Sequence, residues 1–190
     1  MRIAIARAVS IAGHPVVLIS CAGLIVAQAH GASQMQLRTI GVTLLLLASV
    51  VIGFTWFQVK AGRWAHVDAS HRRERTALNG FLIILLLVSA ALVGFVLRNL
   101  PMSVALVVAS MLIAAAMSLA RWVKMSLHVA FAAFATALLW PVLWAVAAGL
   151  LITTAVAWSR LTLGRHDPAD VIVGLLLGTL AGSAYVLWLA

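Results

Sequence analysis

The sequence predicts an all-α fold, a polytopic transmembrane helical bundle of about seven spans, and three observations carry that prediction. Hydrophobic residues fill 65% of the 190 positions and charged residues only 9%, against the roughly 25% charged residues of a soluble domain. Mean hydropathy is +1.15. The apolar residues fall in runs long enough to cross a bilayer, which takes about 20 helical residues. A single transmembrane domain over 1–190 is expected, without room for a large soluble core beside the spans.

The first run, 9–29, follows Arg2 and Arg7 and ends at Ala27-Gln28-Ala29. A basic start, an apolar stretch and a small-residue site resemble a secretory signal. The run is nevertheless long enough to span, and a retained helix is expected. Further runs at 39–57, 80–97 and 102–120 read as single spans. The stretch 126–158 is short for two helices and lacks a polar turn, but Pro141 lies near its middle between Trp140 and Trp144. Proline disfavours helix continuation and tryptophan favours the membrane interface. A tight hairpin at Trp140-Pro141 is expected, giving spans 126–139 and 142–158; one long kinked helix would lower the count to six. The last run is 170–189. In it Gly174, Gly178 and Gly182 recur every four residues, a close-packing stripe for use within the bundle or in a homodimer.

Formal net charge is +9, from 13 Lys and Arg against 4 Asp and Glu. Alternating spans put the N-terminus and the segments 58–79, 121–125 and 159–169 on one face. That face carries Arg2, Arg7, Lys60, Arg63, Arg72, Arg73, Arg75, Arg121, Lys124, Arg160 and Arg165, with Asp68, Glu74, Asp167 and Asp170; the other carries Arg38 and Arg98. The positive-inside rule makes the charged face cytoplasmic, and the compact, Trp-rich chain looks like a bacterial inner-membrane protein. Basic residues placed between apolar runs point to lipid headgroups and phosphate, not to nucleic acid. Trp56, Trp122 and Trp158 at the charged interface, and Trp140, Trp144 and Trp188 at the other, read as an aromatic belt. The lone Cys21 cannot form an intrachain disulfide and reads as a packing residue.

Three polar clusters fall in the segments of the charged face: Asp68 to Arg75; Lys124, Ser126 and His128; and Ser159 to Asp170. His166 and Asp170 are four residues apart, so a helical start there puts them on one face. A carboxylate bonded to one imidazole nitrogen fixes the tautomer and leaves the other nitrogen as a nucleophile. Arginine and lysine neutralise a phosphoryl group, and a second histidine can protonate the leaving oxygen. Together these residues make a set for phosphoryl transfer through a phosphohistidine. No cofactor is implied, and no His, Cys or carboxylate spacing suggests a zinc site. Lys60 and Arg63 read as interface anchors, Arg72 and Arg73 as surface charge, and His14, His30, His66 and His71 as structural or loop residues.

Ser159-Arg160, five residues, His166, three residues, Asp170 resembles the third signature of the type-2 phosphatidic acid phosphatase superfamily, and the run on to Gly174 and Gly178 is similar to that family's last helix. The second signature, Pro-Ser-Gly-His in the family, stands here as Met125-Ser126-Leu127-His128, without the Pro and Gly. The first, Lys, six residues, Arg-Pro, stands as Asp68, six residues, Arg75-Thr76, without the Lys and Pro. The chain looks like a divergent subgroup with a Lys-x-Ser-x-His second signature. The resemblance covers about residues 60–189. It implies a membrane lipid-phosphate phosphatase in which His166 is the nucleophile, Asp170 its orienting partner and His128 the general acid. Arg75, Ser126 and Arg160 would bind phosphate oxygens beside the Leu127 N–H, with Lys124 standing in for the missing Lys. The implied substrate is a lipid phosphomonoester or pyrophosphate, of polyprenyl or phosphatidic-acid type. Two other classes stay open: an inactive relative that binds lipid phosphates or scaffolds partners, and a small transporter. The near-absence of ionisable residues inside the runs argues against the transporter.

Overall fold

The computed structural model describes residues 1–65 and 71–190, so His66 and Asp68 lie outside the described residues. The described residues are helical throughout, with turns and short loops and no strand. Among the described residues eight helices follow in order: α1 (Arg2–Ala12), α2 (Pro15–Ala29), α3 (Gln34–Lys60), α4 (Arg72–Phe95), α5 (Leu100–Leu119), α6 (Leu127–Leu138), α7 (Leu143–Thr162) and α8 (Pro168–Leu189). Five of them (α3, α4, α5, α7 and α8) are long and apolar enough to cross a membrane, and α1 with α2 makes a sixth candidate if that bent pair is one span. The chain is an integral membrane protein by this measure.

Three expectations are corrected. The first run is not one helix: it breaks at Gly13-His14-Pro15, where α1 and α2 meet with a bend of 49°. Pro15 supplies no N–H and starts α2, while His14 Nδ1 accepts the Val16 N–H at 3.3 Å as the N-cap. The third span starts well before residue 80, so Arg72, Arg73 and Arg75 are helical and not in a loop. The cause is Glu74, buried, which accepts the His71 N–H at 3.0 Å and the Ala65 N–H at 3.2 Å and closes the helix start. The fifth run forms two separate helices with α7 as expected, joined at a cis Trp140-Pro141 bond, but α6 has only 12 residues. It is therefore about 18 Å long, short of the roughly 30 Å hydrocarbon core.

The chain packs as two units, residues 1–40 with 118–190, and residues 41–117. In the first, α6 is the hub: α2, α7 and α8 all pack on it, and every residue from Val129 to Thr136 is buried. A helix enclosed by protein need not match bilayer thickness, because other helices cover its ends. Packing here relies on small residues letting backbones approach. A Cβ on Gly174 would stand 2.8 Å from the Ser126 carbonyl oxygen, one on Gly178 would run into the Ala130 backbone, and one on Gly182 would meet Phe134. The glycine stripe is thus filled by α6 within the chain. Between α6 and α7, Gly149 makes room for Thr136, whose hydroxyl bonds the Thr153 hydroxyl at 3.0 Å in a buried pair.

In the second unit, Ala90 and Val93 of α4 pack with Leu106 of α5. Gly94 admits Ser103, whose hydroxyl donates to the Ala90 carbonyl at 2.8 Å. Phe54 of α3 stacks on Phe81 of α4 at 3.9 Å. Exposed aromatic residues pair with cations near helix ends, Trp56 with Lys60 here and Trp122 with Arg121 in the first unit, as interfacial side chains do.

Candidate active site

The site is built where three helix ends of the first unit converge. α7 stops through a Schellman turn: the Gly164 N–H donates to the Leu161 carbonyl and the Arg165 N–H to the Arg160 carbonyl, at 3.0 and 3.1 Å. Gly164 has φ +60, which only glycine adopts without strain. That turn leaves Ser159 and Arg160 on the last turn of α7 and sends Arg165 and His166 back across the helix end. Asp167 then caps α8, Pro168 occupies its first position and Asp170 its third.

Asp170 is the organising group. Its Oδ1 accepts the Lys124 N–H at 3.0 Å, and its Oδ2 accepts the Asp167 N–H at 3.2 Å. The same Oδ2 lies 3.2 Å from His166 Nδ1. One carboxylate therefore ties the segment before α6 to the start of α8. The backbone repeats the tie, since the Ser126 N–H donates to the Asp170 carbonyl at 3.1 Å. Asp170 is buried, and its negative charge sits at the N-terminus of α8, where the helix dipole favours it.

His166 Nδ1 faces two acceptors, Asp170 Oδ2 and the Lys124 carbonyl at 3.0 Å. Both are satisfied only if Nδ1 carries the proton and donates to them. The neutral ring then holds its lone pair at Nε2. Burial, and next the positive charge of Arg160, hold the His166 pKa below the usual histidine value, against the opposing hydrogen bond from Asp170. A neutral, oriented imidazole at pH 7 is the form a nucleophile needs.

His166 lines a cavity of about 380 Å³ with Lys124, Arg121, Arg165, Asp167 and Asp170. Lys124 Nζ donates to the Arg165 carbonyl at 2.8 Å across its rim. Ser126 is the N-cap of α6, yet its hydroxyl does not cap the helix. The residue is fully buried, and Oγ has no hydrogen-bond partner among the described residues. Buried polar atoms are satisfied in the great majority of cases, and this hydroxyl is an exception among the described residues. Leu127, next to it, opens α6, and first-turn N–H groups point out of a helix end. His128 lies one residue further on, within electrostatic reach of Arg160, His14 and His166.

Comparison with protein-family models, curated proteins and solved structures gave no match. The chemistry of the site therefore rests on its own geometry.

Of the residues expected from the sequence, His166, Asp170, Lys124, Ser126, His128 and Arg160 all belong to the first unit. Direct bonds join His166, Asp170, Lys124 and Ser126, and charge reaches from Arg160 to both histidines. Arg75 belongs to the second unit, on the first turn of α4, and its expected role rests on the resemblance. His30 and His71 have structural work at helix ends: His30 Nδ1 bonds the Val26 carbonyl at 2.9 Å, and His71 is the N-cap of α4. Two residues escaped the sequence reading. Arg160 donates to the Ser10 hydroxyl at 2.8 Å, and the His14 ring meets that of His128 edge-on, 5.4 Å between centroids. Separations of more than 100 positions leave no local signal for either pair. No three His, Cys, Asp or Glu side chains converge as a metal site would require among the described residues.

Proposed function

We propose that this protein is an integral membrane phosphatase of the type-2 phosphatidic acid phosphatase kind. It would hydrolyse a lipid phosphomonoester or pyrophosphate through a phosphohistidine, without a metal. The observation that carries the reading is the pair of acceptors on His166 Nδ1, which leaves the lone pair on Nε2 of a residue that lines a cavity with Arg121, Lys124 and Arg165. A histidine serving only as a helix cap would not need its tautomer fixed from two directions.

In this reading Nε2 of His166 attacks phosphorus, and the bond from phosphorus to the lipid oxygen breaks. His128 gives a proton to that oxygen, and it must first be charged against its burial and the positive charge of Arg160, which both favour the neutral ring. Water then attacks phosphorus, His128 takes a proton from that water, the phosphorus–Nε2 bond breaks, and inorganic phosphate leaves. Arg160 and Lys124 stabilise charge on the equatorial oxygens, with the Ser126 hydroxyl and the Leu127 N–H as further donors. One imidazole must be neutral and the other protonated, so the rate should pass through a maximum with pH. The lipid chain stays in the bilayer while the headgroup reaches the cavity. The cytoplasmic side is inferred from the excess of Arg and Lys on that face, and a bacterial inner membrane is the expected location.

The test is phosphate release by purified protein in detergent with a chelator present, on a panel of lipid phosphates and pyrophosphates, beside His166→Ala. Release that vanishes in the variant supports the reading, and the ranking of lipids names the substrate. No release from any lipid by folded protein would leave a relative that binds lipid phosphates without hydrolysing them.

A further inference from the structure

We propose that the N-terminal helix pair forms a working wall of this site, with Ser10 as a positioning residue that holds the Arg160 guanidinium. The inference rests on the phosphatase reading and adds to it a segment outside every signature that the sequence carries.

Ser10 lies in the last turn of α1 and is buried. Its hydroxyl accepts an N–H from Arg160 Nη1 at 2.8 Å. Three residues on, a Cβ at Gly13 would run into the Val156 side chain, which is itself fully buried on α7. Only a residue without a side chain lets the break between α1 and α2 approach α7 this closely. The next residue, His14, caps α2 and turns its ring against His128 at an interplanar angle of 88°. The short segment 10–14 thus meets the arginine of α7 and the histidine of α6, and the tight contact at Gly13 keeps it there.

The physical gain concerns Arg160. An arginine side chain has much rotamer freedom, and a planar fork grips a phosphoryl group well only when its plane is set beforehand. Tying one amino group to a buried hydroxyl fixes that plane before substrate arrives, so less ordering is needed on binding. Ser10 touches neither phosphorus nor the leaving group; it acts through Arg160.

The experiment is a double-mutant cycle on full-length protein in detergent. Orthovanadate binding is read by calorimetry and kcat/KM by phosphate release, for wild type, Ser10→Ala, Ser10→Thr, Arg160→Ala and the Ser10→Ala/Arg160→Ala pair. A bond to a charged group predicts that Ser10→Ala weakens vanadate binding and kcat/KM by about tenfold. Ser10→Thr, which keeps the hydroxyl, should restore most of both. In the Arg160→Ala background, Ser10→Ala should change either by less than about twofold, the limit for groups that act as one. A Ser10→Ala protein within about twofold of wild type overturns the inference. So does an additive loss in the double variant, or a Ser10→Thr protein no better than Ser10→Ala. Any general loosening of the fold by Ser10→Ala would persist without Arg160, so the cycle separates it from positioning. A wild type that binds vanadate but releases no phosphate removes the phosphatase reading and leaves the vanadate cycle to decide on Ser10. A wild type that binds no vanadate removes both.

Discussion

Replacing Asp170 by Asn keeps its size and removes its charge, and the hydrogen bonds around it set the consequence. The carboxylate accepts from Lys124 N–H at one oxygen and from Asp167 N–H and His166 Nδ1–H at the other. An asparagine has one acceptor oxygen and one NH₂ group. With its oxygen toward Lys124, the NH₂ faces two donors; turned the other way, it faces the Lys124 N–H. Either orientation leaves at least one buried donor without its acceptor, at about 1–3 kcal/mol of stability. The effect on rate is larger. An NH₂ at His166 favours a lone pair on Nδ1 and a proton on Nε2, which is the wrong tautomer for attack. Behind the histidine of a serine protease the same substitution lowers kcat by about 10⁴ through the tautomer. Here the Lys124 carbonyl still favours a proton on Nδ1, so a smaller loss, on the order of 10²–10³ in kcat, is expected for Asp170→Asn. KM should change little, because Asp170 does not reach substrate. Phosphate release by protein that elutes as folded in size exclusion measures this. A kcat within about tenfold of wild type would refute the role given to Asp170.

Three more predictions follow from the same geometry. Burial and Arg160 hold the His166 pKa down; the ring is reactive when neutral, so reactivity rises as pH climbs through a value below about 6.5. Inactivation by diethyl pyrocarbonate against pH reads this without titration of a substrate, and a midpoint above 6.5 for the His166-dependent phase would contradict it. Ser126→Ala removes a buried hydroxyl that has no partner among the described residues. Thermal unfolding should show stability unchanged or raised by about 1 kcal/mol while kcat/KM falls about tenfold; a loss of stability would mean that the hydroxyl is bonded. Gly178→Ala drives a methyl group into the Ala130 backbone and should destabilise the protein by about 1–3 kcal/mol. Gly23→Ala, at a position with open space, should cause no loss; equal melting of the two variants would sink the packing account.

The helix count and the site were legible to different degrees. The break between α6 and α7 could be read because Trp140-Pro141 combines a helix stop with an interface residue. The cluster from Ser159 to Asp170 could be read because its geometry is local: Gly164 stops one helix, Asp167-Pro168 starts the next, and His166 and Asp170 fall one turn apart. Hydropathy cannot separate a helix that faces lipid from one that faces protein, so the sequence does not show that α6 is short and enclosed by other helices. The break at Pro15 was visible in the sequence, but a count of apolar residues alone passes over it. The early start of α4 was also written there, in Glu74 three residues after His71, and was obscured by the surrounding charge. The contacts of Ser10 and His14 could not be read at all, because they depend on how α1 and α2 pack against α7 and α6.

The most direct test of the central claim is to trap the phosphoenzyme. Protein mixed with a lipid carrying a ³²P-labelled phosphate is quenched in alkali on the millisecond scale, digested and mapped. The account predicts label on the peptide that contains His166, stable in alkali, lost in acid and absent from His166→Ala. Label on another side chain, or turnover in which label passes to free phosphate with none on protein at any quench time, would contradict it.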